Sequence, residues 1–489
     1  MVLGRFFSRL SSTGFVALLT ISGCAVGPNY KRPAISAPNS YRETKATQEA
    51  SFADLPWWEV FKDPRLKELI QTALVNNYDL RVAVSRVEQA RQIALQARAQ
   101  YFPFVNYFVT GSEGKNDFAG SPFLNGGKVE GSFLSAIGVA WEADVWGRLR
   151  RLNESARAQY LSTEEARRGV MLSLVSDIAQ AYFELLDLEL QLNIAKETTD
   201  SFSTTLDLFV HRLQGGVAST LDTSRAEAAR ATAAASIPEL EREIALKENQ
   251  ISVLLGSNPG DIAHTAQLFD QTVPPEIPVG LPSALLERRP DVLEAEQQMR
   301  AANAEIGVAT AAYFPQIGLT ALLGRASSPL SLLSSGQSTF WTVRGNMAGP
   351  IFQGGELKAQ KRQAVAFWQQ TVLQYEQTAL DAFRDVSDAL ISRQKYEAIR
   401  TEQAQAVQAY QTSVKVSLDR YLAGRASYFE VLEAQLQLFP AENALAITEL
   451  NRRTVIVQLY KALGGGWNLK DPEWAGPSPP QSQSQSPSP

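Results

Sequence analysis

The chain has 489 residues, 45% hydrophobic and 20% charged, with a formal net charge of -5 and a single cysteine. Charges of both signs are spread along it without a basic stripe, which argues against a nucleic-acid surface. One cysteine excludes an internal disulfide, and after the first two dozen residues no run of about 18 apolar residues is available to cross a membrane as a helix.

At the N-terminus Arg5 and Arg9 precede the short apolar core GFVALLTI and then Ser22-Gly23-Cys24. This order reads as a secretory signal peptide over 1–23. The run LTISGC resembles the bacterial lipoprotein box, whose cysteine is acylated and becomes the first mature residue, so Cys24 is the expected lipid-attachment site. Acylation also removes a free thiol from an oxidising compartment. Ala25, rather than aspartate, is what that resemblance implies for sorting to the outer membrane. No other cofactor is expected.

Residues 24–63 form a Pro-rich lipidated arm, with VGPNYKRP and LPWWEVFKDPRL, expected to pack in extended form across other elements. Trp57 and Trp58 read as packing anchors. A helix follows from Pro64 to Gln100 and stops at Tyr101-Phe102-Pro103, since proline ends a helix and is tolerated at a strand's first residue. Val105, Tyr107 and Val109 then alternate with Phe104, Asn106 and Phe108, and a Gly- and Asn-rich loop spans Gly111–Gly131. In the return strand Phe133, Ile137, Val139 and Trp141 share one face. The bend EADVWGRLRR leads into a long helix, Arg148 to Leu213, in which Met171, Val175, Ile178, Tyr182 and Leu185 repeat at coiled-coil spacing. At about 1.5 Å per residue this helix is about 100 Å long. Gly215 and Gly216 stop it, Ser219 can cap a returning helix to Leu255, and a Pro-rich linker covers 257–282.

The same succession then recurs. Without a gap, Asp79, Ala83, Ala90, Ala97 and Tyr101-Phe102-Pro103 fall on Asp291, Ala295, Ala302, Ala309 and Tyr313-Phe314-Pro315. A second strand pair follows, with Ile317, Leu319 and Leu323 on one strand and Trp341, Val343 and Met347 on the other. The bend AGPIFQGGELKA opens a second long helix, Glu356 to Leu422. At the second tip Arg420, Gly424, Ser427, Glu430 and Ala434 match Arg212, Gly216, Ser219, Asp222 and Ala226, and the last helix runs from Ser427 to Leu463. The domain reading is repeat one over 64–256, repeat two over 283–464 and a low-complexity tail over 465–489, most of it expected to be disordered. The offset between copies shortens by four residues across the hairpin and bend. Insertions gather in exposed loops, so Gly111–Gly131 and Arg325–Ser338 are expected at the outer surface.

Strands of about 9–11 residues suit a tilted bilayer crossing. Four strands cannot close a barrel, and an open edge in lipid leaves backbone groups unpaired. A dimer would make an eight-stranded barrel nearly filled by side chains, whereas a homotrimer makes a twelve-stranded one with a lumen.

These residues, above all LLERRPDVLEAEQQMRAANAEIGVATAAYFPQIGLT, GCAVGPNY, WWEVFKDPRLKELIQTAL and the paired tips, resemble outer-membrane efflux lipoproteins of tripartite pumps. The resemblance covers Cys24 to about Trp467 and implies a mainly α, TolC-like trimer: a twelve-stranded outer-membrane barrel continuing into a periplasmic helical barrel. It also implies a periplasmic adaptor, an inner-membrane RND-type transporter, outer-membrane lipid and the export of drugs or other toxic compounds.

In that family the helix after the second tip carries acidic residues facing the narrowing lumen, which fall here on Glu430 and Glu433. Threefold symmetry would make each a ring of carboxylates favouring cations; the plainer reading is glutamates facing water. Asp222 and Tyr421 match positions that hold the periplasmic entrance shut. A gate arginine of some members falls on Ala426, with Arg425 one place away, so Phe429 offers an apolar ring or inter-helix packing instead. Arg212, Gly215, Gly216, Gly424 and Arg425 are the expected adaptor-contact tips, or else simple capping turns. With two histidines, no cysteine pair and no phosphate loop, no motif indicates an enzyme or metal site. A lipid-anchored coiled-coil scaffold and a protein-secretion duct remain open alternatives. The alternating strands argue against the scaffold.

Overall fold

The computed structural model describes residues 25–41, 51–115, 129–264, 266–270, 278–466, 468–470 and 473–474. The expected signal peptide, Cys24 and most of the C-terminal tail lie outside them. The main elements are α1 (Pro64–Asn76), α2 (Tyr78–Ala99), β1 (Phe104–Lys115), β2 (Val129–Ala143), α3 (Arg148–Gln214), α4 (Thr220–Leu254), α5 (Pro290–Ala311), β3 (Gln316–Ser327), β4 (Thr339–Ala348), α6 (Glu356–Leu422) and α7 (Tyr428–Ala462). They form two compact units, each drawing on both sequence repeats.

The first unit contains Arg86–Glu164, Glu294–Tyr375 and the arm up to Ala34. Its four strands make one antiparallel sheet in the order β1-β2-β3-β4. The register aligns Tyr107 with Ile137, Ile137 with Leu323 and Leu323 with Trp341, all exposed. Val105, Val139, Ala321 and Val343 form the parallel row two residues away. On the opposite face Asn106, Gly138 and Thr342 share a row with Leu322, and Thr320 and Arg344 share one with Phe104 and Ala140. A period of two thus separates an apolar face from a mixed one.

The expected loop over Gly111–Gly131 proves too long: β1 runs to Lys115 and β2 begins at Val129, because the backbone ladder continues through both glycines. The expected loop from Arg325 likewise starts late. Arg325 still pairs with Thr339, and its guanidinium donates to the Ser334 carbonyl at 2.9 Å.

Residues 25–41 of the arm run without helix or strand, as expected, whereas its last part differs, with short helical turns at Phe52–Asp54 and Trp57–Val60. Val26 N–H donates to the Trp146 carbonyl at 3.0 Å, and the Arg151 guanidinium holds the Gly27 carbonyl at 3.3 Å and Asn29 Oδ1 at 2.7 Å. A side chain on Gly27, at φ +94°, would stand 2.5 Å from the Gly307 Cα, so this crossing requires glycine.

The second unit covers Ile35–Ser85, Glu165–Leu293 and the chain from Glu376 onward. The single helix expected from Pro64 to Gln100 is two, because Asn77 turns extended between them. Its Oδ1 accepts from Leu80 N–H at 3.0 Å and its Nδ2 donates to the Leu254 carbonyl at 2.9 Å, so a side chain replaces helical continuity. The coiled-coil series of α3 from Met171 to Leu185 is buried. Contrary to the sequence expectation, α3 includes an 18-residue stretch apolar enough by composition to span a bilayer, but 67% of it is buried inside the protein. Core packing accounts for its hydrophobicity.

Trp57 is fully buried and its indole donates to the Trp474 carbonyl at 2.9 Å, while Trp58 packs edge-on against it at 5.5 Å. The Tyr460 hydroxyl donates to the Leu55 carbonyl at 3.0 Å, tying α7 to the segment before α1. Asp63 caps α1 by accepting from Arg65 and Leu66 N–H and also accepts from the buried Tyr182 hydroxyl at 3.1 Å. Asp63→Ala removes the cap and strands that hydroxyl, so urea unfolding should show a loss of about 2–4 kcal/mol. Asp63→Asn, which keeps an acceptor, should lose less.

Candidate functional site

Both helical reversals are built alike. Val217 N–H donates to the Arg212 carbonyl at 2.9 Å and Gly216 N–H to Leu213 at 2.9 Å; Arg425 N–H donates to Arg420 at 2.9 Å and Gly424 N–H to Tyr421 at 3.0 Å. This paired pattern satisfies the last helical carbonyls and places one residue in the left-handed region. Gly216 and Gly424 take it, at φ +73° and +71°, with no atom within 4 Å of a substituted Cβ. Backbone angle, not crowding, demands glycine here.

The helices that leave the tips start differently. Ser219 Oγ accepts from Asp222 N–H at 3.3 Å, and Asp222 Oδ2 accepts from Ser219 N–H at 3.2 Å, a complete capping box. Ser427 occupies the matching position, but its side chain makes no cap hydrogen bond. Glu430, which would complete that box, turns toward Arg420 with its carboxylate 3.9 Å from the guanidinium.

Behind the tips four helices converge on one apolar cluster. Phe202 and Phe209 of α3 meet Ala226, Ala229 and Ala233 of α4 and Tyr428, Val431 and Leu432 of α7, with Leu418 and Tyr421 of α6 at the edge. The Phe209 ring lies 4.0 Å from Tyr428 and 5.4 Å from Tyr421. Arg212 sits over the Tyr421 ring at 4.7 Å, a cation–π contact worth about 0.5–1 kcal/mol when exposed. Gln435 Nε2 links α7 to α3 by donating to Ser201 Oγ at 3.1 Å and Thr205 Oγ1 at 3.2 Å.

Within one chain Asp222 and Tyr421 therefore have separate partners. The Asp222 carboxylate completes the cap, and Tyr421 packs with its ring tilted at the edge of the cluster. Tyr428 is buried with no hydrogen-bond partner for its hydroxyl among the described residues. Burial first, then the Asp222 charge and Tyr421, push this phenol up to about 12. Sequence reasoning missed Phe202, Phe209 and Tyr428, although the seven-residue spacing of the two phenylalanines marked them.

Phe429, Glu430 and Glu433 lie on the exposed side of α7, opposite Tyr428, Val431 and Leu432. Glu430 and Glu433 line a groove with Val416 and Arg420 of α6. Gly215, Gly216, Gly424 and Arg425 are exposed, while Arg212 is half-buried over Tyr421. The predicted site residues are thus gathered at one end of the α3/α4 and α6/α7 pairs. The tips offer turns outward, and α7 offers a carboxylate face with one aromatic side chain.

The outer membrane efflux protein family matches this chain twice, over residues 69–257 and 281–465, in step with the internal repeat. The probable efflux pump outer membrane protein TtgC of Pseudomonas putida is 37% identical over 467 residues, 94% of this chain and 95% of its own length. The cation efflux system protein CusC of Escherichia coli K12 is 34% identical over 460 residues, 92% of this chain and 98% of its own. The open-state crystal structure of the Neisseria gonorrhoeae MtrE outer membrane channel superposes with a TM-score of 0.83 at 29% identity, covering 91% of this chain and 99% of that one.

Mainly helical structure, one four-stranded sheet and paired helical reversals define a TolC-like outer-membrane channel subunit. The chain belongs to the outer membrane efflux protein family, and serves as an efflux exit duct in the Gram-negative outer membrane with a large periplasmic portion.

The aromatic cluster holds the tip helices together. Phe209→Ala opens a cavity there and should cost about 3–5 kcal/mol, read as faster amide hydrogen exchange in 200–233 and 418–435 with little change in the sheet.

Proposed function

We propose that three copies of this chain close into one passive duct, joined through a periplasmic adaptor to an inner-membrane RND-type transporter that supplies the energy. The observation that carries this reading is the sheet: four strands, an apolar exposed face, and edges at β1 and β4 with no partner among the described residues. In lipid each unpaired backbone group costs several kcal/mol, and three such sheets make a twelve-stranded closed barrel.

Cys24 carries the lipid anchor, supported by its place in LTISGC and by the clasped arm that begins beside it. Acyl methylenes contribute about 0.8 kcal/mol each to membrane affinity. The exposed turns around Gly216 and Gly424, with Arg212 and Arg425, are where the adaptor docks. Similar proteins are named for toluene, antibiotic and cation efflux. Small toxic compounds are therefore the cargo class, and the partner transporter selects among them. The chain performs no catalysis of its own.

The periplasmic end is the gate. Asp222 and Tyr421 hold it closed, by capping α4 at one tip and by packing α6 onto the aromatic cluster at the other. Cap and ring-packing contributions of about 1 kcal/mol each act three times per trimer. Detergent-purified Asp222→Ala/Tyr421→Ala protein in planar bilayers should conduct several-fold more than the parent. Equal opening of the two would remove these residues from the gate, and a parent that stays monomeric and never conducts would overturn the duct.

Glu430 and Glu433 form carboxylate rings at the narrowing, with Phe429 as an apolar ring beside them. Arg420 offsets part of the Glu430 charge, leaving Glu433 the larger share of the field. Glu433→Gln should therefore reduce cation selectivity more than Glu430→Gln, seen as a shift of reversal potential toward zero in a salt gradient. An unaltered potential would place Glu433 away from the lumen.

A further inference from the structure

The internal repeat leaves one contact made and its counterpart open. Each second strand of a hairpin is followed by an apolar residue and an aromatic one: Val145-Trp146 after β2 and Ile351-Phe352 after β4. A left-handed glycine then starts each long helix, Gly147 at φ +79° and Gly355 at φ +92°. Each first strand is preceded by Tyr-Phe-Pro, at Tyr101-Phe102-Pro103 before β1 and Tyr313-Phe314-Pro315 before β3.

Within the chain, the bend after β2 meets the corner before β3. Trp146 stacks on Phe314 with centroids 4.7 Å apart and planes 23° apart, and its indole N–H donates to the Pro315 carbonyl at 2.8 Å. They meet because β2 and β3 are neighbours, paired down to Ala143 and Ile317. The bend after β4 and the corner before β1 belong to the two sheet edges, so neither has this neighbour. Their aromatic side chains are open to solvent, Phe352 at 88% and Phe102 at 60%. Trp146 and Phe314, which satisfy each other, are half-buried.

We propose that Phe352 of one copy stacks on the partner's Phe102, reproducing between copies the Trp146–Phe314 contact made inside the chain. The occupant is a second copy of this chain because the missing surface is one the sequence already encodes, at the edge where β4 must find a β1. This seam lies at the base of the sheet and rests on the trimer proposed above. Ile351, also fully exposed, lies alongside it. The second bend has two more residues between its aromatic and its helix-starting glycine than the first, and its ring is left exposed.

The test uses the full-length chain in detergent with Phe102→Cys and Phe352→Cys, singly and together, treated with a short bifunctional thiol reagent. Native Cys24 is present in every variant and is controlled by the single substitutions. The double variant should run as a covalent trimer on a denaturing gel, and each single variant as a monomer. A double variant whose native mass is trimeric but which stays monomeric after treatment overturns the contact while leaving the trimer intact. A parent chain that is not trimeric defeats the assembly itself, and the contact with it. Independently, Phe352→Trp should raise the temperature at which SDS separates the subunits, because the indole N–H gains the partner's Pro103 carbonyl. An unchanged or lower temperature would show that the seam does not copy the internal corner.

Discussion

A β-strand inside lipid has no water to satisfy its backbone, so every N–H and C=O on its edge must meet another strand. That constraint governs this chain. Its sheet pairs β1 with β2, β2 with β3 and β3 with β4, then stops with two open edges and an apolar face. Among the described residues nothing resolves this. The proposed trimer does, and it explains why the sequence is duplicated: two hairpins per copy, repeated around a threefold axis, give a barrel wide enough to pass cargo instead of filling itself with side chains.

The same duplication shapes the tips, where near-identical reversals carry unequal contents. Glycine and the paired hydrogen bonds are common to both, because ending a helix is a backbone problem with one cheap solution. The residues that follow have diverged. Ser219 and Asp222 close a capping box, whereas Glu430 leaves Ser427 uncapped and turns toward Arg420. An aromatic cluster of Phe209, Tyr421 and Tyr428 ties the two reversals together. This arrangement suits the gate proposed above, in which the turns keep their shape while the helices behind them shift against an apolar contact.

Much of this was legible in the residues. Alternation from Val105 to Val109 and from Trp141 back to Phe133 marked two strands whose pairing the structure bears out, and the series from Met171 to Leu185 marked a buried helical seam. The glycines of both tips were visible because each stands where an ordered repeat breaks. Less visible was the break at Asn77, which depends on a hydrogen bond to Leu254, 177 positions away. The ends of β1 and β3 were placed too early, since glycine and arginine read as loop residues until a partner strand continues the ladder.

By itself the sequence determined the period of each element, the duplication, the helix stops at both tips and the split of each strand into an apolar and a mixed face. These are local properties, set by backbone angles and by side-chain spacing along one segment. Only the tertiary structure decided which strands lie side by side, that both repeats contribute to each compact unit, and that Asp222 serves a cap while Tyr421 stacks under Arg212. Those facts depend on packing between residues far apart in the chain, where a hydrogen bond or a ring contact is specified by shape and not by spacing.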